Sequence, residues 1–276
     1  MSNFDDRPIA LFDSGIGGLT VLRTLLASLP DESFVYLGDT ARLPYGSKSP
    51  QTIERYLRQN IEFLSRLNVK AIVVACNSAS TVLFGKEHDF ALPVYNVIEP
   101  GAETALRHSA SKQIGVLGTK ATVAARSYVT ALERLEPKAQ VFQQACPLLV
   151  PLVEEGWDND PVTRVVVERY VKPLLSQAPE IDTLVLGCTH YPALREVIAS
   201  EAGASVRLVD GAEAVVGRIR ADFKAHTLGR GGARRHSLKI MTTDTAPGFL
   251  EVARRLMKPY EVECLHEVDI ANPTAL

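Results

Sequence analysis

Twice in this chain an unbroken apolar run ends in a cysteine followed by two polar residues: AIVVACNS at 71–78 and TLVLGCTH at 183–190. Apolar runs of this length with no alternation suit strands covered on both faces, the condition of parallel sheets flanked by helices. Two further echoes keep the same order. LFDS (11–14) is answered by VLGT (116–119) and VIEPGAE (97–103) by LVDGAE (208–213), each about 110 residues later. Three ordered echoes imply a duplicated unit.

The remainder of the chain fits that reading. Strands are expected at Ile9–Phe12, Ser33–Leu37, Ala71–Ala75, Val94–Ile98, Ile114–Leu117, Val141–Gln144, Thr183–Gly187, Arg207–Val209 and Leu238–Thr242. Helical periodicity marks Thr20–Ser28, Gln51–Leu67, Ala102–His108, Arg126–Leu135, Val162–Gln177, Pro192–Ala202 and Pro247–Met257. Strands alternating with helices predict an α/β fold of two similar, pseudo-symmetric domains with mainly parallel sheets. A cleft is expected between them, outside the carboxyl ends of the strands, where ligands of such folds gather. Both cysteines fall there.

Bulk properties narrow the function. A net charge of −2 gives no electrostatic footprint for nucleic acid or an anionic membrane. The local basic stretch of Arg218, Arg220, Lys224, Arg230, Arg234 and Arg235 lacks aromatics for base stacking and reads as a solvated loop. No apolar run reaches 18 residues, and Met1–Arg7 is polar and acidic, so neither a membrane span nor a secretion signal is expected and the protein should stay in the cytoplasm. Cys76, Cys146, Cys188 and Cys264 form no C-x-x-C pair, so free thiols are expected, not a disulfide framework or a zinc knuckle.

Cys76 and Cys188 each follow a predicted strand by one residue and precede a helix start, a position that can depress a thiol pKa. Either alone could be an inert core cysteine. Equivalent placement in two similar halves favours two thiols facing one ligand. Asp13 and Ser14 open a glycine-rich strand-to-helix turn with Gly15, Gly17 and Gly18, which is neither a P-loop nor a clean G-x-G-x-x-G; it suits a carboxylate, and could also be a plain turn. The segment DTARLPYG (39–46) reads as a loop.

These segments together resemble bacterial glutamate racemases of the aspartate/glutamate racemase family, along nearly the whole chain: DSGIGG (13–18), GDTARLPYG (38–46), ACNSA (75–79), VPLVEEG (150–156) and GCTHYP (187–192). The stretch 229–276 matches nothing diagnostic. The resemblance implies a discontinuous N-terminal domain of residues 1–98 plus 210–276 and a second domain of 99–209. It implies racemisation of glutamate with no cofactor and no metal, supplying D-glutamate for peptidoglycan and so for cell-wall biogenesis and cell shape, with a homodimer among the assemblies open to it. By motif position the catalytic thiols are Cys76 and Cys188, with Asp13, His190 and Glu154 as assisting groups. Substrate binding carries over to Asp13, Ser14, Pro44, Tyr45, Gly46, Asn77, Ser78, Thr119, Thr122, Thr189 and His190. The bland readings stand beside these: Asp13 as a helix cap, His190 as a satisfied core imidazole, Glu154 as a solvated carboxylate.

Competing functions are an aspartate racemase, a regulatory protein acting on DNA-handling enzymes through the basic stretch, and a cysteine hydrolase, which gives no reason for two symmetric thiols. Zinc on Cys76, Cys188 and His190 would have an unusual spacing.

Overall fold

A computed structural model describes residues 4–232 and 237–271. The first stretch carries β1 (Ile9–Asp13), α1 (Leu19–Ser28), β2 (Phe34–Gly38), α2 (Pro50–Ser65), β3 (Ala71–Val74), α3 (Asn77–Leu83) and β4 (Val94–Tyr95). The middle carries α4 (Ile98–His108), β5 (Gln113–Gly118), α5 (Lys120–Ala125), α6 (Ser127–Leu135), β6 (Gln140–Ala145), α7 (Leu149–Glu154), α8 (Pro161–Gln177), β7 (Thr183–Gly187), α9 (Arg195–Ala202) and β8 (Arg207–Asp210). Last come α10 (Gly211–Lys224), β9 (Leu238–Thr242), α11 (Phe249–Met257) and β10 (His266–Glu267).

Two sheets result, ordered β10-β9-β2-β1-β3-β4 and β6-β5-β7-β8, and every named strand pair is parallel. The segment β2-β1-β3-β4 matches β6-β5-β7-β8 position for position. Ala71 of β3 pairs with Ile9 of β1, and Thr183 of β7 with Ile114 of β5, so the two cysteine-ending strands occupy the same place in their sheets. Every residue of β1, β3 and β7 is buried, which explains their unalternating apolar sequences. Truncating Phe12 in β1 to Ala would cost about 3–5 kcal/mol on that ground.

The chain leaves the first sheet after β4 and returns after β8. The two connecting helices exchange sides: α4 packs on α6, β7 and β8, α10 packs on α1, and the two helices contact each other. Helix starts are set locally. Ser49 accepts the Thr52 N–H with Pro50 in the first turn of α2, Asp160 accepts the Val162 N–H at the start of α8, and Asp210 accepts those of Ala212 and Glu213 at the start of α10.

Several expected boundaries shift. The strand expected over Val94–Ile98 stops at Tyr95, because the Asn96 side chain accepts the N–H groups of Ile98 and Glu99 at 2.6 and 3.1 Å and opens α4 four residues before Ala102. The helix expected from Pro192 begins as a 3-10 turn over Tyr191–Leu194. Helices α5, α7 and α10 were not anticipated; the first two span only six residues each, too short for periodicity to show. Of the basic stretch, Arg230 pairs with Asp31, Arg218 lies 3.9 Å from Asp222, and Arg220 donates to the Ser28 carbonyl; Arg234 and Arg235 lie outside the described residues. Among the described residues no helix is long and apolar enough to cross a membrane.

Candidate active site

The loops leaving the carboxyl ends of β1, β2, β3, β5, β6 and β7 converge on one cavity of about 260 Å³. That is slightly below the roughly 300–1,000 Å³ of pockets for drug-sized ligands, so a small metabolite is the natural occupant. Cys76 and Cys188, from different sheets, both line it.

Glycine makes the approach of the two halves possible. A Cβ on Gly17, in the loop after β1, would lie 2.4 Å from the His190 ring, and one on Gly46 would lie 2.8 Å from the Thr119 Cβ. Either would push the first half's loops off the second's. The Thr20 hydroxyl adds a polar tie, donating to the Thr189 carbonyl at 2.8 Å.

On the β3 side, the Cys76 thiol contacts the Ser14 hydroxyl at 3.5 Å. Burial, then the Asp13 charge, pushes this thiol up to about 12. The expectation of a thiol depressed by a helix N-terminus therefore fails here. Cys76 does precede α3, but desolvation outweighs the backbone N–H groups that favour the thiolate. Asp13 is fully buried behind the cavity wall; its carboxylate accepts the Gly15 N–H at 3.0 Å and the Thr189 hydroxyl at 3.2 Å. Burial raises its pKa while His190 pulls it back. It is not the cap of α1, which starts at Leu19 with Gly18 as its N-cap and no side-chain cap.

On the β7 side, Cys188 is followed not by an α-helix but by the short turn that His190 opens. Its Sγ lies 3.9 Å from His190 Nδ1, and His190 Nε2 lies 3.2 Å from Glu154 Oε1 at the end of α7. Burial works against a charged His190, but hydrogen bonds to Cys188 and Glu154 outweigh it and hold the imidazole up at about 10. Glu154 is half-exposed, yet it lines the cavity and is engaged by the histidine, unlike a merely solvated carboxylate.

Of the other sequence-derived residues, Ser14, Pro44, Gly46, Asn77, Ser78, Thr119 and Thr189 line the cavity. Ser78, Thr119 and Thr122 form a hydroxyl chain with steps of 2.9 and 3.0 Å, and Tyr128 donates to Asn77 Oδ1 at 2.8 Å. Tyr45 and Thr122 are fully buried and do not line it. The Tyr45 hydroxyl instead donates to Asp39, within a cluster that includes Arg42 and Asn60; they support the wall from behind. Lys120 and Cys146 line the cavity without having been singled out. Cys146 directly follows β6, but that strand, QVFQQA, is not continuously apolar and carries no echo of the other two runs. Among the described residues no group of three His, Cys, Asp or Glu side chains is arranged to hold a metal ion.

Residues 18–219 match the family model described as Asp/Glu/Hydantoin racemase. A glutamate racemase of Chlorobaculum tepidum is 43% identical over 254 residues, 91% of this chain and 93% of that protein. One from Syntrophus aciditrophicus is 48% identical over 210 residues, 76% of this chain and 77% of that protein. The solved structure of glutamate racemase from Francisella tularensis in complex with D-glutamate superposes with a TM-score of 0.88 at 32% identity, covering 97% of this chain and 99% of that one.

Proposed function

From membership of the Asp/Glu/Hydantoin racemase family, to which this chain belongs, we propose direct interconversion of L- and D-glutamate by two thiols on opposite sides of the substrate Cα. One observation carries the reading: Cys76 and Cys188 end equivalent strands of two matching sheets and line the same small cavity.

In the proposed cycle a thiolate removes the α-proton and becomes a thiol, while the opposite thiol delivers its proton to the other face and becomes a thiolate. In one starting state Cys76 is the thiol, consistent with its raised pKa, and a charged His190 is the counter-ion of a Cys188 thiolate. After turnover the protonation states are reversed, and exchange with solvent resets them. The α-proton is a far weaker acid than a thiol, and each unit of mismatch costs about 1.36 kcal/mol. Ser14, Asn77, Ser78 and Thr119, which line the cavity, would donate to the two carboxylates and so stabilise the carbanion-like state. Asp13 and His190, backed by Glu154, tune the thiols. We place the division between halves at 98/99 and 209/210. The proposed role is cytoplasmic supply of D-glutamate for peptidoglycan, with no cofactor.

Circular dichroism of L- and D-glutamate, with both aspartate enantiomers in parallel, tests the reading. Either glutamate enantiomer should decay to a racemate, before and after dialysis against a carbonyl reagent and a chelator. Faster racemisation of aspartate, or loss of activity restored by pyridoxal phosphate or a metal, would overturn it.

A further inference from the structure

The C-terminal stretch carries no recognisable motif, yet one of its side chains reaches the helix that carries Glu154. Arg255, near the end of α11, donates from Nη2 to the Val153 carbonyl, and its Nε lies 3.4 Å from Asp158 Oδ2. Those two partners bracket the turn that ends α7. Gly156, within that turn, sits at φ +79°, and a Cβ there would lie 2.4 Å from Arg255 Nη1, so the guanidinium lies directly against the turn. A six-residue helix such as α7 has little rigidity of its own. Its last residue is Glu154, which meets His190 at 3.2 Å, and His190 meets Cys188.

We propose that Arg255 is a positioning residue for the reaction: by anchoring the end of α7 it holds Glu154 against His190, and through His190 it acts on Cys188. The first half of the molecule thereby supplies a support for the second half's thiol. The kinetic consequence rests on the racemase reading. The structural one, that Arg255 fixes the Glu154–His190 contact, does not.

The experiment pairs Arg255→Met, which keeps the aliphatic stem, with Glu154→Gln. Arg255→Met should lower kcat about tenfold, a fraction of what an acid–base group contributes, with KM within about twofold. In the Glu154→Gln background it should lower kcat no further. An equal loss in both backgrounds overturns the proposal. A second readout needs no turnover: the His190 imidazole is titrated by NMR, its signal assigned with His190→Asn. The charged or titratable groups facing that ring are Cys188, Glu154 and Asp13. Removing a cation alone would raise the imidazole pKa, whereas releasing Glu154 lowers it. A fall in Arg255→Met supports the proposal; a rise or no change overturns it, whatever the substrate proves to be. If Arg255→Met does not fold, Arg255→Lys, which cannot form the same fork, should show the same fall on a smaller scale.

Discussion

Cys76 and Cys188 end strands of the same rank in matching sheets, but their surroundings differ. Cys76 has a hydroxyl beside it at 3.5 Å and a buried carboxyl behind, and its thiol is pushed up to about 12. Cys188 has an imidazole beside it, itself backed by a carboxylate. The two matching sheets offer equivalent positions for sulfur, while the residues two places further on, Ser78 and His190, differ. A reaction that takes a proton from one face and returns one to the other needs unlike protonation states at any instant. The symmetric backbone places the two sulfurs alike, and neighbours that differ give them unlike surroundings, so that in the proposed cycle Cys76 is the thiol in one of its two starting states.

The largest effect should come from removing either sulfur. Cys76→Ala and Cys188→Ala should each lower kcat by at least about 10³-fold while folding normally, since in the proposed cycle each removes one of the two proton carriers. In deuterated water the wild type should give early product labelled at Cα and recovered substrate nearly unlabelled. If either alanine variant keeps near wild-type turnover, or early product retains the substrate's own proton, the two sides are not a pair of carriers.

A smaller effect probes the neighbours. Asp13→Asn and His190→Asn should lower kcat by about 10- to 100-fold, less than loss of a thiol, because each acts on a sulfur instead of carrying the proton. Melting temperatures separate tuning from support: a collapse in stability that accounts for the lost activity would return Asp13 or His190 to a structural role. Asp13 is the more exposed to that outcome, being fully buried and hydrogen-bonded to both Gly15 and Thr189.

The positions of most strands and the equivalent placement of the two thiols were legible in the sequence because a parallel strand buried on both faces leaves an unbroken apolar run. The asymmetry was less legible. Whether a helix N-terminus lowers a thiol depends on how much water it loses, and nothing in the run AIVVACNS reports that Cys76 is enclosed. Tyr45 belongs to a recognised motif, yet its side chain points into the cluster of Asp39 and Arg42 from the same motif, where Asn60 of α2 donates to its hydroxyl. Arg255 was invisible for the same reason: its partners, Val153 and Asp158, lie far from it in sequence, and a lone arginine on an amphipathic helix carries no spacing signal. A regularity carried by a whole strand could be read; the partner chosen by a single polar side chain could not.

The smallest expected effect separates the two sides by pH instead of by rate. His190 is held at about 10, above its ordinary 6.5, so the folded state binds that proton more tightly than the unfolded chain. The stability it contributes is therefore fully present below about 6.5 and is lost as pH rises towards about 10. Cys76 has the same sign but a later window, from its ordinary 9.0 to about 12. Asp13 is also raised, from 3.8, so its contribution starts to fade at the acid end. Between pH 6.5 and 9, then, the β7 side should soften while the contribution of Cys76 is still fully in place. Melting temperatures measured across that range should fall by a few degrees more in the wild type than in His190→Asn, since about 1 kcal/mol moves Tm by roughly 2–4 °C in a chain of this order of size. The buried tyrosines and Cys146 lose protons later and are common to both proteins, so they cancel in the comparison. Asp13→Asn should keep the wild-type slope. Equal slopes in the wild type and His190→Asn would mean that no imidazolium is held beside Cys188, and the contrast between the two sides would then have to rest on Asp13 and Cys76 alone.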